Sequence, residues 1–441
     1  MNVTTEKMPL WQQLQAVAEV LQAIRSGVSG TAAMAQVAPA LRPGVQALLF
    51  HVLRSLGRAQ ELRHLLAKRA PPPPADALLC TALALAWHEQ DAPYEAFTLV
   101  NQTVEAAKKN AATRAQASFI NACLRRFLRE RDELVAATQK NPLAVWNHPQ
   151  WWIERLKKDW PTQWQRILAA NNQHAPMTLR VNARRSTVSA YLQTLEQAGM
   201  AAVATGDSGV ILAQPRPVFD LPGFAEGVVS VQDGAAQQAT PLLLAGLHSD
   251  KALRVLDACA APGGKTAHLL EYADCDVTAL DVDAQRCERI TQTLDRLQLK
   301  ATVLTADAAQ VSTWWDGQLF DAVLLDAPCS ASGIVRRHPD IRWLRRETDI
   351  AQLAVIQTRL LKALWPVVKP GGRLLYCTCS VFKAEGQAQI QTFLARNTEA
   401  TLLASPGHLM PFNGAKEDLV PDNSPSEHDG FYYALLEKRS A

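Results

Sequence analysis

Apolar residues recur at every third or fourth position from residue 8 to residue 140. Examples are LWQQLQAVAEVLQAI, VQALLFHVLRSLGRAQELRHLLAK and ADALLCTALALAWHE. This spacing puts apolar side chains along one stripe of an α-helix. Breaks fall at Pro39, at Pro43-Gly44 and at the proline run 71–74, which separate successive helices. The pattern predicts an all-α domain over residues 1–142.

From about residue 240 onwards, short apolar runs alternate with amphipathic stretches. The predicted strands are RVLDAC, DVTALDV, ATVLTAD, FDAVLLDAP, GGRLLYCTC and GFYYALLEK, and helices are predicted at 264–273, 284–297, 347–368 and 384–396. Regular alternation of this kind predicts an open parallel sheet with helices on both faces. We therefore assign residues 237–441 to an α/β Rossmann-like domain.

The intervening residues 143–236 differ in composition and pattern. TLRVN, GVILAQ and VVSVQD resemble short strands, which predicts a small α+β module. Residues 150–190 hold seven Lys or Arg against two acids. A cationic surface with interleaved aromatic residues suits single-stranded or looped RNA. Alternatively, the tryptophans are core residues of a helix: Trp151, Trp152, Trp160 and Trp164.

Composition narrows the class of protein. A chain of 441 residues is too long for one core, so this is a multidomain protein, and it is 48% hydrophobic and 20% charged. No apolar run is long enough to span a bilayer, and the N-terminus shows no secretion signal. The eight cysteines are scattered, as expected for reduced thiols in the cytoplasm. No Cys or His group has metal-ligand spacing, so no metal is expected.

Residues capable of chemistry follow the predicted strands of the α/β domain. The loop CAAPGGKT follows the first strand, and Asp281, Asp307 and Asp326 lie at the ends of the next three. Cys329 comes shortly after Asp326, and Cys379 follows the fifth strand. Ligands of open α/β sheets bind outside the carboxyl ends of the strands. These residues are therefore expected to form one site.

Two kinds of chemistry fit this site. The loop nearly matches the phosphate-binding pattern G-x-x-x-x-G-K-[ST] of an NTPase, but Cys259 replaces the first glycine and Pro262 removes a backbone donor. The alternative is a methyltransferase that uses S-adenosyl-L-methionine. Asp281 would then bind the ribose hydroxyls, Asp307 the adenine amino edge, and the loop 259–265 the methionine part.

The thiols favour the methyltransferase. Carbon 5 of cytosine is a poor nucleophile until a thiolate adds to carbon 6. Asp326 could protonate or hydrogen-bond the ring nitrogen during that addition. Spacing alone does not decide whether Cys329 or Cys379 attacks, and either could instead be a buried apolar residue. Cys377 is interpreted as a packing residue. A protein that only binds RNA is the third alternative.

The motifs DACAAPGGKT, LLDAPCSASGIVRRHPDIRW and CTCS together resemble the NOL1/NOP2/Sun family of RNA cytosine-C5 methyltransferases. The resemblance implies a class I methyltransferase domain in which Cys379 is the nucleophile, Cys329 assists release of the product and Asp326 contacts the ring nitrogen. It also implies that S-adenosyl-L-methionine binds at Ala258, Cys259, Ala260, Ala261, Pro262, Gly263, Gly264, Lys265, Asp281, Asp307 and Asp326.

The resemblance extends over most of the chain. The N-terminal domain is similar to the antitermination factor NusB, and HPxW, LRVN, LPGF and DGFYYALLEK occur in the same order as in bacterial 16S rRNA enzymes of the family. This implies a monomer that acts on naked or early-assembly 16S rRNA, with no membrane and no DNA partner. Two positions depart from the family pattern: Cys377 stands for Ala and Gly386 for Asn.

A run of basic residues follows the Pro-Cys loop. Five arginines stand here against Asp340 and Glu347. Solvated charge is the ordinary interpretation of such a run, but its position beside the proposed site predicts contacts to RNA phosphates and bases. The residues of this run are Arg336, Arg337, His338, Arg342, Arg345 and Arg346.

Overall fold

The computed structural model describes residues 8–247, 250–412 and 428–440. It forms two compact units. The first consists of the chain up to Gln173 together with Val335–Arg346, and the second of His174–Ile334 together with the chain from Glu347 onwards. No helix within the described residues is both long and apolar enough to cross a membrane. The predicted domain boundaries at 142/143 and 236/237 stay predictions.

The helices are numbered in chain order. They are α1 (Leu10–Arg25), α2 (Gly30–Ala35), α3 (Arg42–Leu66), α4 (Pro73–Ala86), α5 (Ala96–Lys109), α6 (Ala117–Arg129), α7 (Arg131–Thr138), α8 (Pro142–Trp146), α9 (Gln150–Asp159), α10 (Trp164–Asn171), α11 (Val188–Gln197), α12 (Gly234–Gln237), α13 (Ala239–Leu244), α14 (Gly264–Tyr272), α15 (Ala284–Leu297), α16 (Ile341–Leu344), α17 (Glu347–Leu364) and α18 (Gln387–Leu394).

The strands form two sheets. They are β1 (Met177–Val181), β2 (Ala202–Thr205), β3 (Gly209–Leu212), β4 (Val229–Val231), β5 (Leu253–Ala258), β6 (Cys275–Asp281), β7 (Thr302–Thr305), β8 (Phe320–Asp326), β9 (Val368–Thr378), β10 (Ala400–Leu402), β11 (Gly407–Leu409) and β12 (Phe431–Lys438).

The first unit is all-helical, as predicted. Its centre is α4, in which every residue from Ala77 to Ala86 is buried, because a helix that is apolar all round must be enclosed. The amphipathic helix α6 buries Ile120 and Phe127 on one side. Arg126 and Arg129 of the same helix both pair with Glu130, at 2.8 and 2.7 Å. Glu130 therefore offsets part of the positive charge of these two arginines.

Parts of two cationic patches predicted to contact RNA are instead structural. In the first unit, the guanidinium of Arg342 is fully buried and donates to the backbone oxygens of Asn147 and Asn171, at 3.2 and 2.6 Å. Arg336 is also buried. Trp152 is fully buried, so the helix-core interpretation is correct for that tryptophan. These three side chains stabilise the unit rather than offering a surface to RNA.

The second unit contains a small antiparallel sheet with the order β2-β3-β1-β4. Arg180 of β1 was expected on a cationic surface, and that expectation is wrong. Its guanidinium is 1% exposed and forms two bonds to the carboxylate of Glu271, at 2.9 and 3.0 Å. It also donates to the carbonyl of Gly264 at 2.9 Å. Arg180 thus ties the small sheet to the first turn of α14.

The large sheet has the order β10-β12-β9-β8-β5-β6-β7, and β11 pairs with β12. Strands β5 to β9 are parallel, whereas β12 runs antiparallel to β9. The sheet is therefore mixed rather than wholly parallel. Strands β2, β10 and β11, which have three or four residues each, were not predicted.

Alternate residues of the central strands enter two separate cores, so both faces of the sheet are covered. Val255 and Leu324 pack in the core that includes residues of α13, α14 and α15. Leu256 and Leu325 pack in the core that includes residues of α17 and α18. The order reverses at β5, which lies between β6 and β8. Such a reversal opens a crevice at the carboxyl ends of the strands.

Candidate active site

The loop after β5 turns sharply into α14. Cys259 and Gly263 have φ values of 63° and 93°. Glycine adopts the left-handed region freely, whereas a Cβ at position 263 would come within 3.1 Å of the Ile290 Cα. The amide of Ala260 donates to the Leu280 carbonyl at 2.8 Å, which fixes the loop to the end of β6. Backbone can therefore approach a ligand closely here.

Asp281 ends β6 and lies against this loop. Its carboxylate is 1% exposed and accepts a hydrogen bond from the Ala261 amide at 3.2 Å. Arg286 donates to the same carboxylate oxygen at 3.2 Å. Asp307 follows β7, where it accepts from the Ala309 amide and pairs with Arg359 at 3.1 Å. Both acids stand at neighbouring strand ends, as the sequence predicted.

Asp326 ends β8 and contacts one residue of α14 and one of β9. One carboxylate oxygen pairs with the Lys265 ammonium at 2.7 Å, and the other accepts from the Cys377 thiol at 3.5 Å. Burial lowers the pKa of Lys265 and is the largest single effect, but the charge and hydrogen bond of Asp326 and the neighbouring cysteines together raise that pKa by more. The ammonium also lies 5.4 Å from the ring centroid of Phe431. Lys265 is thus held in its charged form.

Cys377 is fully buried in the core beside α14, which agrees with its interpretation as a packing residue. Burial and the nearby Asp326 carboxylate raise the pKa of its thiol well above the ordinary value. Cys377 therefore keeps its proton and donates it to Asp326. Sequence reasoning missed this contact, because only the parallel register of β8 and β9 sets Asp326 opposite Cys377.

Cys329 and Cys379 meet directly, with 3.4 Å between their sulfur atoms. Both are partly exposed, unlike Cys377. The pKa of Cys329 is raised well above its ordinary value, first by its hydrogen bond to Cys379 and then by burial. The raised pKa favours the protonated form of Cys329, and either sulfur can be the donor in this contact. The structure brings together two thiols that lie 50 positions apart in the chain.

A buried carboxylate that the sequence analysis missed lies under both cysteine loops. Glu385 is fully buried and accepts from the Ser330 amide at 2.8 Å. It also accepts from the hydroxyls of Ser330 and Ser380, at 2.5 and 2.6 Å. Burial raises its pKa, and the bonds from these two serines oppose that rise. The available sequence signal was an acid close after CTCS.

Gly386, one of the two departures from the family pattern, has no room for a side chain. A Cβ there would lie 2.7 Å from the ring atoms of both His408 and Tyr432. The two rings pack together with centroids 4.5 Å apart. His408 and Tyr432 therefore occupy the space that an asparagine at position 386 would need.

Asp257, at the end of β5, is a second buried acid that the sequence analysis did not single out. It is fully buried and accepts from the Thr266 hydroxyl at 2.6 Å. Burial raises its pKa from 3.8 to about 7, and the bond from Thr266 opposes the rise. Between those two pH values the folded protein binds a proton that the unfolded chain releases. Stability should therefore fall as the pH rises through that window.

Asp257→Asn should remove this pH dependence. The difference in free energy of unfolding, variant minus wild type, should increase by at least about 1 kcal/mol from pH 5 to pH 8. The wild type loses stability as Asp257 loses its proton, whereas asparagine has no proton to lose. Urea unfolding of both proteins at several pH values, without donor or RNA, measures the difference. A difference that stays constant with pH would contradict the assignment.

Three family descriptions match successive parts of this chain. Residues 10–129 match the NusB family, and residues 148–219 match the ferredoxin-like domain of RsmF/B-like methyltransferases. Residues 243–437 match 16S rRNA methyltransferase RsmB/F. The three follow one another in the order predicted for the helical domain, the α+β module and the methyltransferase domain.

Close relatives cover most of the chain. It is 45% identical to ribosomal RNA small subunit methyltransferase B of Pseudomonas putida, over 78% of this chain and 79% of that protein. It is 44% identical to the same enzyme of Vibrio cholerae, over 78% of this chain and 77% of that protein. This chain belongs to the RsmB/F family of 16S rRNA methyltransferases. The family resemblance seen in its motifs is thereby confirmed.

A solved structure resembles this RsmB/F family member over nearly its full length. The crystal structure of PH0851 has a TM-score of 0.74 and 25% identity, and covers 96% of this chain and 99% of that one. The predicted fold class is confirmed: a NusB-like helical domain, a small α+β module and a Rossmann-like methyltransferase domain. The cofactor of this methyltransferase is S-adenosyl-L-methionine.

The residues around the crevice fit that cofactor. Carboxylates at the ends of β6 and β7 can accept from ribose hydroxyls and an adenine amino group, and the bent loop 259–264 allows close approach of the backbone. Within the residues that the structure describes, no group of three or more potential ligands could hold a metal ion.

Proposed function

We propose that this enzyme methylates carbon 5 of one cytosine in 16S rRNA through a covalent bond between Cys379 and carbon 6. The observation that carries the proposal is the 3.4 Å contact between the sulfur atoms of Cys329 and Cys379. Two thiols at adjacent strand ends suit a reaction that adds a sulfur to the ring and later removes it. A methyl transfer to a nitrogen or ribose oxygen needs neither thiol.

The contact supports a division of roles between the two thiols. The family resemblance assigns Cys379 as the sulfur that attacks carbon 6, after which carbon 5 takes the methyl group. The contact with Cys379 and burial raise the pKa of the Cys329 thiol, which supports Cys329 as the proton donor. Loss of the carbon 5 proton then breaks the S–C6 bond. Cys329 can donate its proton to the departing sulfur, which assists release.

In this proposal Asp326 and Lys265 act on the side of the ring away from the two thiols. Asp326 contacts the ring nitrogen and shares a proton with it as the sulfur adds. The Lys265 ammonium, 2.7 Å from Asp326, stabilises the negative charge that the addition develops on the ring. Cys377 holds the second carboxylate oxygen, so the carboxylate cannot rotate freely.

The donor is assigned to the loop and the neighbouring acids. S-adenosyl-L-methionine supplies an electrophilic methyl group on a positively charged sulfur. Asp281 would bind its ribose and Asp307 its adenine, and the backbone of Ala258 to Lys265 would pack on the methionine part, with Asp326 nearby. Arg286 must release the Asp281 oxygen that it now contacts if that oxygen is to accept from the ribose.

Labelled donor and 16S rRNA test the proposal directly. The protein should label 5-methylcytosine at a single position, identified by nuclease digestion, mass spectrometry and bisulfite mapping. Label at another atom of the base, or on the ribose, would overturn the proposed chemistry. ATP hydrolysis with no methyl transfer would favour the NTPase alternative, and RNA binding with no donor binding would favour a pure binding module.

The same assay defines the partner. We propose that the enzyme is a monomer that acts in the cytoplasm. We also propose that its substrate is naked or early-assembly 16S rRNA, because a target base has to leave its stack to reach the two thiols and an assembled particle restricts that movement. Naked 16S rRNA should accept the label faster than assembled small subunits, and duplex DNA should accept none. Preference for the assembled particle would contradict this.

A further inference from the structure

We propose that Glu385 is a positioning residue that holds Cys329 and Cys379 at reacting distance. This inference rests on the proposed function, and it concerns a residue outside the catalytic set described above. Glu385 does not touch either sulfur. It acts through the residues that follow each cysteine, Ser330 and Ser380, whose side chains both donate to its carboxylate.

Backbone hydrogen bonds join the two cysteine segments on either side of Cys329. The parallel ladder of β8 and β9 ends at Asp326 and Cys377, and two further bonds of 2.9 Å follow it, from the Ala327 amide to the Cys377 carbonyl and from the Gly333 amide to the Cys379 carbonyl. Beyond the ladder both chains enter loops.

Between these two bonds, side chains join the loops. The Ser332 hydroxyl contacts the Ser380 hydroxyl at 2.9 Å and accepts from the Val381 amide at 3.0 Å. Glu385 makes further contacts next to both cysteines.

The two carboxylate oxygens of Glu385 accept four hydrogen bonds. One oxygen accepts from the Ser330 amide at 2.8 Å and from Gln357 at 3.3 Å. The other accepts from the hydroxyls of Ser330 and Ser380. Gln357 in turn donates to the Pro328 carbonyl at 3.0 Å. The carboxylate therefore binds Ser330 and Ser380, the residues after the two cysteines, and it reaches Pro328 through Gln357.

The backbone of Glu385 also holds β9. Its carbonyl accepts from the Tyr376 hydroxyl at 2.8 Å and from the Thr378 hydroxyl at 3.3 Å. Removing a carboxylate from water costs several kcal/mol unless hydrogen bonds replace the lost water. If the side chain at position 385 only filled space, an apolar side chain would do so with a smaller desolvation cost. The four converging donors indicate that the carboxylate sets the geometry of the two loops.

Glu385→Gln tests the proposal with minimal change in volume. Its amide offers one acceptor oxygen and places hydrogens where two hydroxyls now donate. We expect kcat for methyl transfer to fall about 100-fold, because a misplacement of about 1 Å at reacting groups costs that much. The KM for rRNA and the Kd for S-adenosyl-L-methionine should change less than about twofold, since Glu385 is not among the residues assigned to bind either of them.

The thiol distance has its own readout, which needs neither RNA nor donor. Diamide oxidises two neighbouring thiols to a disulfide and is itself reduced to the hydrazine, taking up both protons and both electrons. Mass spectrometry of the Cys329–Cys379 disulfide gives the rate. We expect Glu385→Gln to form this disulfide at least about tenfold more slowly than the wild type.

Gln389→Leu is the matched control. Gln389 is also buried, and its side chain donates to the carbonyls of Ala354 and Ala384 and contacts Thr358, but neither cysteine loop. This variant loses buried hydrogen bonds in the same region, so it should lose stability. Its kcat and disulfide rate should stay within about twofold of the wild type.

A Glu385→Gln protein with wild-type kcat and disulfide rate would overturn the proposal, as would an equal loss in Gln389→Leu. If Glu385→Gln does not fold, the double variant Ser330→Ala/Ser380→Ala should show the same two losses, and wild-type values there would also overturn it. If the wild type transfers no methyl group to cytosine, the proposed function fails, while the disulfide rates still test Glu385.

Discussion

Replacing Cys379 with serine should reduce methyl transfer to 16S rRNA by at least about 10⁴-fold, the order of loss seen when a covalent nucleophile is removed. A serine hydroxyl in place of the thiol is far less acidic, so very little alkoxide is available to add to carbon 6. Binding of the donor should not change, because Cys379 is not among the residues assigned to it. Transfer of labelled methyl to rRNA, with donor binding measured in parallel, gives both results.

Cys275→Ser is the control for this change. Cys275 is partly exposed like Cys379, but it begins β6 and so lies at the opposite end of the strands from the proposed site. Its replacement should leave the rate within about twofold of the wild type. Substantial activity in Cys379→Ser would remove Cys379 from the role of nucleophile, and loss of activity in Cys329→Ser instead would exchange the two roles.

Replacing Cys329 with serine should trap the enzyme on its product. The Cys329 and Cys379 sulfur atoms are 3.4 Å apart, and a serine hydroxyl at position 329 is a much weaker acid than the thiol, so it would supply a proton far less readily when the S–C6 bond has to break. A positioned proton donor contributes at least about 100-fold to such a step, so the covalent complex should persist longer by that factor. The complex should survive a denaturing gel as a protein band that carries labelled RNA.

Two further samples make this result specific. The double variant Cys329→Ser/Cys379→Ser should form no stable complex, because it lacks the attacking sulfur. Cys329→Ser without donor should accumulate far less complex, because the trap forms after carbon 5 has been methylated. A complex in the double variant would show that another group attacks the ring, and rapid release by Cys329→Ser would show that Cys329 has no part in release.

The single variants Cys379→Ser and Cys329→Ser also distinguish the proposed mechanism from a disulfide or a purely structural contact between the two thiols. A disulfide or a shared structural role would make both substitutions fail in the same way. Opposite outcomes, no complex in one variant and a persistent complex in the other, require distinct functions for the two sulfur atoms.

The sequence alone predicted the main elements that build this site. The strands that end at Ala258, Asp281, Asp326 and Thr378 could be predicted because β-branched and apolar runs ending in Asp, Gly or Pro are local signals. The motifs at their ends follow from the same local order. The three-residue edge strand β10, which holds one β-branched residue, Thr401, was missed.

Charge was the least reliable sequence signal. Arg180 and Arg342 appeared in basic stretches and were expected to face RNA, but both are buried. Arg180 pairs with Glu271, 91 positions away, and Arg342 donates to Asn171, 171 positions away. A basic residue that faces solvent and one that finds a distant acceptor look the same along the chain.

The sequence therefore determined the family, the order of the strands along the chain and the residue types at the site, because periodicity and turn chemistry depend on near neighbours. Only the tertiary structure decided that the two thiols contact each other and which carboxylate lies beneath both cysteine loops. The distance between the Cys329 and Cys379 sulfur atoms and the four donors on Glu385 arise from packing of residues far apart in sequence. No local pattern encodes such contacts, since burial and pairing exist only once the chain has folded.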